Sequence, residues 1–230
     1  MSARLLFRVL FGFVLTTCAL STPLDISVAS ANPCPDIEVV FARGTDEPRG
    51  VGSVGQAFVD SLVPKVGGRS VGVYAVDYPA SGAFSSSASA GAAAASAHIQ
   101  YMVANCPNTK MILGGFSQGA GVIDLITVGP VQVAGFTPAP MPPEVADHVA
   151  AVAVFGNPSG NFPGFGPLTA ISPLYGPKTI DMCAPGDPLC TPGIPWQIWY
   201  PWFPADLSAH LSYAQNGMVG QAADFAASRL

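Results

Sequence analysis

Five short apolar segments, rich in β-branched residues, recur along the chain. Each is bounded by glycine, proline or polar residues: IEVVFA (37–42), VGVYAV (71–76), KMILGG (110–115), AAVAVFG (150–156) and KTIDMC (178–183). Successive side chains of a strand point to opposite faces, so an apolar run of about four to eight residues is typical of a strand buried on both faces. The pattern predicts five buried β-strands.

Segments with helical periodicity separate these strands, at about 53–66, 86–105 and 117–128, with a shorter one near 143–149. Apolar-periodic stretches also follow the last strand, near 207–229. Residues 84–97 have the composition of a linker, but alanine is the best helix former and no proline interrupts them, so we expect a helix. Alternating strands and helices predict a mostly parallel five-stranded sheet with helices on both faces.

The amino-terminal segment has the features of a signal peptide. Arg4 and Arg8 precede an apolar stretch at 9–20, and a small-residue pattern, Ala-Ser-Ala, ends at Ala31. The apolar stretch is shorter than the ~20 residues that a membrane-spanning helix requires. We therefore expect residues 1–31 to be a cleaved signal peptide.

The remainder, residues 32–230, has the length of one globular domain. The alternatives for the amino terminus are an uncleaved anchor and lipid attachment at Cys18, although the residue before that cysteine, Thr17, is bulky for a lipobox. Secretion to the extracellular space or cell envelope is the expected localisation.

Charge argues against two classes of partner. The chain has 9 basic and 14 acidic residues, and without residues 1–31 it has 7 and 13, a net charge of −6. No basic cluster is present in the sequence, and phosphate neutralisation by basic residues supplies most of the affinity in nucleic-acid binding. Nucleic acids and anionic membrane surfaces are therefore not expected as partners.

Four cysteines remain once Cys18 is removed: Cys34, Cys106, Cys183 and Cys190. An even number in an oxidising compartment predicts two disulfides, with three possible connectivities. The turn-rich segment between the last two can bring them within bridging distance, which favours 183 with 190 and 34 with 106. A metal site is the alternative, but C-x6-C is not a zinc spacing and no histidine lies near a cysteine pair.

The stretch GGFSQGAG, residues 114–121, places Ser117 where the third strand gives way to a helix. This is the setting of a nucleophile elbow, in which a strained serine sits on a sharp turn at the carboxyl end of a strand. Glycines at 115 and 119 would allow the strand and helix backbones to approach closely. The pattern G-x-S-x-G arises by chance ~0.2 times in a chain of this composition, so its position after a strand carries the weight.

A serine nucleophile requires a base, and three histidines are available. His98 precedes Ser117 on the alanine-rich segment and is most simply a partly exposed helical residue. His148 follows Ser117, but one of the few intervening acids, Asp124, lies on the nucleophile's own helix. His210 comes last, as the chain order serine, acid, histidine requires for this fold, so we predict that it is the base.

Three aspartates are candidates for the acid that orients His210. Asp181 lies inside a predicted strand, and Asp206 is placed to be an N-cap for the final helices. Asp187 lies in CAPGDPLC (183–190), just after the fifth strand. A small disulfide loop there would hold a carboxylate rigidly at the carboxyl edge of the sheet, so we favour Asp187.

The motifs VVFARGTDEPRGVG, GGFSQGAG and CAPGDPLC, with the late His210 and the outer cysteines Cys34 and Cys106, resemble the cutinase family of serine esterases. The resemblance spans nearly the whole chain after residue 31, and is greatest to exported cutinase-like proteins of mycobacteria. It implies a small, lidless α/β-hydrolase that needs no cofactor or metal.

The resemblance also implies a catalytic triad of Ser117, Asp187 and His210. It places an oxyanion hole at Gln118 and Thr45, where fungal cutinases carry serine instead of the threonine. The implied substrates are carboxylic esters of aliphatic acyl chains. A phospholipase, and a non-catalytic cell-envelope binding protein on the same fold, are the alternatives.

One departure from the family is the segment between Cys190 and His210. Residues 194–204, IPWQIWYPWFP, contain all three tryptophans, and we expect several of these rings to contact acyl chains or a lipid interface transiently. Inward packing of the rings is the alternative. We expect residues 157–177 and 191–206 to be ordered surface loops, and the protein to be a monomer.

Overall fold

The fold is organised around a parallel sheet. The computed structural model describes residues 34–128, 135–161, 167–192 and 206–230. The strands are β1 (Ile37–Ala42), β2 (Val71–Ala75), β3 (Lys110–Phe116), β4 (Val149–Phe155) and β5 (Thr179–Met182). They lie in the order β2-β1-β3-β4-β5, and every neighbouring pair is parallel. The five predicted strands and the predicted sheet are confirmed.

Helices cover both faces of this sheet. They are α1 (Gly52–Leu62), α2 (Phe84–Asn105), α3 (Gln118–Thr127), the short α4 (Leu168–Ile171) and α5 (Met218–Ala227). Helices α2 and α3 pack on one face, and α1 and α5 pack on the other. The alanine-rich stretch is helical, as predicted, because its small side chains let α2 lie close to the sheet and to α3.

Strand β1 illustrates why the strand sequences are mostly apolar. Ile37, Val39 and Phe41 contribute to the core beneath α1 and α5, whereas Val40 and Ala42 contribute to the core beneath α2 and α3. All five residues are fully buried. A strand covered on both faces by helices has no solvent-facing side and therefore no polar alternation.

The carboxyl-terminal region differs from the expectation of helix near 207–229. Only Met218–Ala227 is helical, and residues 208–217 form consecutive turns and bends. Polar side chains there bond to nearby backbone: Asp206 Oδ1 accepts from the Ser208 N–H at 2.9 Å, and Ser212 Oγ donates to Ala209 O at 2.7 Å. Such local bonds compete with helical hydrogen bonds. Asp206 therefore caps a turn, and its predicted role as a helix N-cap is wrong.

Two other segments also differ in detail. Residues 143–148 form a 3-10 helix, Pro143–His148, in place of a short α-helix. The region 157–177, expected to be loop, contains a 3-10 turn at Pro158–Asn161 as well as α4. Leu168 explains the extra helix, since its side chain is fully buried in the core beneath α2 and α3.

Two disulfides join the cysteines in the pairing favoured from the sequence. Cys34 bonds to Cys106, with a Cα–Cα distance of 5.5 Å, and ties the start of the described chain to the end of α2. Cys183 bonds to Cys190, with a Cα–Cα distance of 5.7 Å, and closes the loop after β5. Among the residues described, no helix has the length and apolar character to cross a membrane. The expected signal peptide and the aromatic segment 194–204 lie outside the described residues.

Candidate active site

The candidate site lies between the adjacent strands β1 and β3, whose following helices pack on opposite faces of the sheet. The chain passes from β1 to α1 on one face and from the adjacent β3 to α3 on the other. Ligands of open α/β sheets bind in the crevice that this divergence leaves at the carboxyl ends of the strands. Thr45 follows β1 and Ser117 follows β3, so the switch point brings both candidate residues to the same edge.

Ser117 occupies a strained turn. Its backbone has φ 55° and ψ −119°, a conformation that non-glycine residues seldom adopt, and its N–H donates to Phe155 O at 2.9 Å. A Cβ on Gly119 would lie 1.9 Å from Ala42 O, and a Cβ on Gly115 would lie 2.3 Å from Gly119 O. The close backbone approach expected around the serine is therefore present.

Asp187 and His210 form a buried pair beside this turn. His210 Nδ1 lies 2.9 Å from Asp187 Oδ2, and their side chains are 5% and 0% exposed. The His210 ring stacks on Phe116, the residue before Ser117, with ring centroids 4.9 Å apart. The structure thus brings the three predicted triad residues to one region, with a direct hydrogen bond between the acid and the histidine.

The loop after β5 holds the Asp187 carboxylate in place. The Leu189 N–H donates to Asp187 Oδ1 at 2.8 Å, and the Tyr213 hydroxyl donates to Oδ2 at 2.6 Å. Burial acts to raise the pKa of Asp187, but the hydrogen bonds from His210, Tyr213 and Leu189 outweigh it, and the pKa is lowered. The carboxyl group is therefore ionised and accepts hydrogen bonds on both oxygens.

Gly156 packs against the Asp187–His210 pair, and the sequence analysis did not identify it. Its φ is 55°, and a Cβ there would lie 2.8 Å from His210 Cε1 and 3.1 Å from Asp187 Oδ2. Any side chain would displace the imidazole or the carboxylate. The sequence did contain one signal for its role: Gly156 ends the fourth apolar run, which places it at the carboxyl edge of the predicted sheet.

Gln118 and Thr45 are linked by a chain of polar side chains. Gln118 Nε2 lies 3.2 Å from Thr45 Oγ1 and 2.9 Å from Ser81 O, and it donates to both. Ser87 Oγ donates to Gln118 Oε1 at 2.7 Å. Because the threonine oxygen already accepts from Gln118, its own proton is available to another acceptor.

Arg43 anchors the loop that carries Thr45. Its side chain is buried and donates to Tyr78 O at 2.8 Å and to Glu47 O at 2.9 Å, while the Tyr78 hydroxyl donates back to Arg43 O. The Glu47 carboxylate accepts from the Gly44 N–H at 2.6 Å and the Ser53 N–H at 2.8 Å. Together these hydrogen bonds fix the conformation of the loop that carries Thr45. The sequence analysis identified neither Arg43 nor Glu47 as part of the site.

A second group of acids lies on and near α3, the helix that follows Ser117. Asp124, on α3, is fully buried, and its Oδ2 accepts from Asn157 Nδ2 at 3.0 Å. Burial raises the pKa of Asp124 to about 8; the polar groups of Ser159 and Asn157 offset only part of this, and nearby Asp181 adds to it. Burial also raises the pKa of Asp181 to about 6. Neither acid is placed to serve His210, whose carboxylate partner is Asp187.

The other two histidines lie at the opposite edge of the sheet. His98 Nε2 is 2.9 Å from Glu38 Oε2, at the amino end of β1, and its ring stacks on Tyr74 with centroids 3.4 Å apart. His148 ends a 3-10 helix immediately before β4. Of the three histidines, only His210 packs on Phe116, the residue before Ser117. No group of three or more metal-ligating side chains within the described residues is arranged to hold a metal ion.

Comparison of the sequence with known proteins identifies one family and its relatives. A family model described as Cutinase matches residues 33–230. The chain is 54% identical over 235 residues to carboxylesterase Culp1 of Mycobacterium tuberculosis, covering 100% of this chain and 98% of that protein. It is 48% identical over 227 residues to phospholipase Culp4 of the same organism, covering 99% and 92%.

Solved structures agree with the sequence comparison. Trichoderma reesei cutinase, in complex with a phosphonate inhibitor, has a TM-score of 0.62 and 30% sequence identity, covering 85% of this chain and 77% of that chain. The family match extends over nearly all of the chain, and the sheet order and helix placement are those of an α/β-hydrolase. The chain therefore belongs to the cutinase family and is a carboxylic ester hydrolase.

Proposed function

We propose that the protein is an exported serine esterase in which Ser117 is the nucleophile, His210 the general base and Asp187 the orienting acid. The observation that carries this proposal is the buried hydrogen bond between His210 Nδ1 and Asp187 Oδ2, 2.9 Å long, beside the strained serine turn. A serine whose neighbour is an imidazole oriented by a carboxylate is the arrangement that activates a hydroxyl for acyl transfer.

The reaction proceeds in two halves. His210 Nε2 accepts the Ser117 hydroxyl proton as Oγ attacks the ester carbonyl carbon, and the same proton then passes to the departing alcohol. This leaves an acyl-enzyme. Water attacks the acyl carbon, His210 accepts a proton from the water, and the carboxylic acid leaves as Ser117 Oγ recovers a proton. Asp187 holds the imidazole with Nε2 free to accept and stabilises the imidazolium formed in each half.

Stabilisation of the tetrahedral oxyanion falls to two donors, the Thr45 hydroxyl and the backbone N–H of Gln118. Gln118 is the first residue of α3, whose unpaired N–H groups and dipole favour negative charge. The bond from Gln118 Nε2 to Thr45 Oγ1 supports this role, because it leaves the threonine proton for the substrate.

Ser117→Ala tests the proposed nucleophile. We expect turnover of a short-chain nitrophenyl ester to fall by roughly 10⁴ or more, with an unchanged melting temperature. Ser228→Ala, an exposed serine after α5, is the matched control and should retain wild-type turnover. Wild-type-like activity in Ser117→Ala would refute the proposed mechanism.

Carboxylic esters with aliphatic acyl chains are the proposed substrates, and the carboxylesterase relative supports this class. Phospholipid hydrolysis is a second candidate, because the chain is 48% identical to a protein named phospholipase Culp4. Export is supported by the features of residues 1–31 and by the two disulfides, which persist in oxidising compartments. Amino-terminal sequencing of protein recovered from the culture medium tests whether the protein is exported and where the signal peptide is cleaved. We also propose that the exported protein is a monomer.

The aromatic segment 194–204 is proposed to contact long acyl chains or aggregated lipid. Replacing Trp196, Trp199 and Trp202 with serine should weaken hydrolysis of emulsified long-chain ester far more than that of a soluble short-chain ester. Equal losses on both substrates, or a matching fall in melting temperature, would favour packing of these rings into the core.

A further inference from the structure

Tyr213 is a buried aromatic residue that connects the catalytic acid to the core. It follows His210 by three residues, and its side chain is fully buried. The ring packs edge-on against Phe116 and Phe155, with centroids 5.8 Å and 6.0 Å away, and lies at 90° to the His210 ring. This packing fixes the direction in which the phenolic oxygen points.

The hydroxyl of Tyr213 lies between a backbone amide and the Asp187 carboxylate. The Ala184 N–H donates to the phenolic oxygen at 2.9 Å, and the distance from that oxygen to Asp187 Oδ2 is 2.6 Å. An amide N–H can only donate, and the disulfide-bonded Cys190 sulfur, 3.5 Å from the phenolic oxygen, is only a weak acceptor, so the single phenolic proton is directed to the carboxylate. Burial is the main cause, and the hydrogen bond to Asp187 the second, that raise the pKa of Tyr213. The phenol therefore stays neutral and able to donate.

One oxygen of Asp187 therefore serves two donors. Oδ2 is 2.9 Å from His210 Nδ1 and 2.6 Å from the Tyr213 hydroxyl, while Oδ1 is occupied by the Leu189 N–H. A hydrogen bond to a charged oxygen withdraws part of its negative charge and fixes its lone pairs. The tyrosine thus acts on the oxygen that faces the imidazole.

We propose that Tyr213 is a positioning residue of the esterase, whose hydroxyl holds Asp187 Oδ2 against His210 and limits how strongly that oxygen attracts the imidazolium proton. The inference rests on the proposed function, in which Asp187 orients the base. Two consequences follow. Loss of the hydroxyl lets the carboxylate rotate, which lowers kcat, and it leaves more negative charge on Oδ2, which favours the protonated imidazole.

Tyr213→Phe tests both consequences. We expect kcat for a short-chain ester to fall about tenfold with KM unchanged, because only the acid-base machinery is affected. We also expect the pH at which kcat/KM is half-maximal on its acid side to rise by about half a unit, since the imidazolium is better stabilised. A residue with a purely structural role would leave that pH where it is.

Tyr175→Phe is the matched control. Tyr175 is also buried, but its hydroxyl has no hydrogen-bond partner within the described residues and its ring belongs to the core beneath α2 and α3. The same oxygen is deleted from a buried ring in both variants. We expect Tyr175→Phe to keep the wild-type kcat and pH profile.

Incorporation of 3,5-difluorotyrosine at position 213 covers the case in which Tyr213→Phe does not fold. The fluorinated phenol is a stronger donor in the same place, so the acid-side midpoint should move down instead of up. Wild-type midpoints in whichever of these two proteins folds would overturn the inference, as would an equal loss of kcat in Tyr175→Phe.

Failure of the inference is distinguishable from failure of the proposed function. If Ser117→Ala is inactive and both Tyr213 proteins keep the wild-type profile, the serine mechanism stands and only the role of Tyr213 is wrong. If Ser117→Ala retains activity, the proposed function fails, and the Tyr213 inference fails with it.

Discussion

Two carboxyl groups of this protein, Asp187 and Asp124, are both completely buried and have opposite pKa shifts. Asp187 accepts from a backbone N–H, a tyrosine hydroxyl and an imidazole, and its pKa is lowered. Asp124 accepts from Asn157, one of its oxygens has no hydrogen-bond partner within the described residues, and burial raises its pKa to about 8. The donors around Asp187 outweigh the effect of its burial, whereas those around Asp124 offset only part of it, so the first carboxyl group is charged and the second is neutral.

The two acids also lie in different parts of the fold, which accounts for the different numbers of donors around them. Asp187 lies at the carboxyl edge of the sheet, in a loop closed by the Cys183–Cys190 disulfide, where one backbone amide, one tyrosine hydroxyl and the His210 imidazole converge on it. Asp124 lies seven residues after Ser117 on α3, facing Asn157 and close to Asp181. In the proposed mechanism, the charged Asp187 supports His210 as the base, whereas the neutral Asp124 on α3 contributes as a buried polar group.

Replacement of Asp187 by asparagine should produce the larger effect on activity. The Leu189 N–H holds the amide oxygen at the Oδ1 position, so the amide NH₂ faces His210 Nδ1 and forces the tautomer with a proton on Nε2. That tautomer cannot accept the Ser117 proton. We expect kcat to fall by roughly 10³ to 10⁴ with a retained fold, measured by ester turnover and circular dichroism.

Asp206→Asn is the matched control for Asp187→Asn. Asp206 is the other acid considered close to His210 in the sequence, and it is exposed and bonded to the Ser208 N–H. Its variant should retain activity within about twofold of wild type. A large loss in Asp206→Asn with little loss in Asp187→Asn would reverse the assignment of the acid.

Replacement of Asp124 by asparagine should change the pH dependence of stability with little effect on turnover. The pKa of Asp124 is about 8 in the folded state and near 3.8 when unfolded, so the folded state binds the extra proton and loses stability as pH rises through this interval. Asparagine resembles the neutral acid and does not titrate. Between pH 6 and 8 the wild type should therefore lose about 1.4 kcal/mol of unfolding free energy per pH unit relative to the variant.

Chemical denaturation at several pH values measures this difference. The window above pH 6 separates Asp124 from Asp181, whose pKa is raised only to about 6 and whose contribution has the same sign at lower pH. Asp181→Asn is the matched control, and its stability relative to wild type should change little over that window. Parallel pH dependence of wild type and Asp124→Asn would mean that Asp124 is ionised in the folded state.

The sheet and the serine turn were predictable because their causes are local in sequence. Burial on both faces produces apolar runs such as IEVVFA at β1, and the sharp turn at Ser117 requires glycines within two residues of it. The histidine was assigned from chain order, which is a property of the fold. The acid was assigned from its place in a small disulfide loop at the carboxyl edge of the sheet. Their catalytic roles stay a prediction until they are tested.

The features that escaped prediction depend on contacts between distant segments. Tyr213 contacts Asp187 only because the turn region after residue 206 packs against the loop that follows β5, and a tyrosine three residues after a histidine has no local signature. Gly156 matters because His210 and Asp187 pack against it. The segment near 207–229 was expected to be more helical than it is, because its apolar spacing conceals local side-chain bonds such as that of Asp206.

Active-site labelling with a fluorophosphonate, followed by peptide mapping by mass spectrometry, tests the central claim most directly. The reagent reacts only with a serine that is activated by a correctly oriented base. The account predicts one adduct, on Ser117, with rapid labelling in wild type and in Asp206→Asn, very slow labelling in Asp187→Asn and none in Ser117→Ala. An adduct on another serine, or rapid labelling of Asp187→Asn, would contradict it.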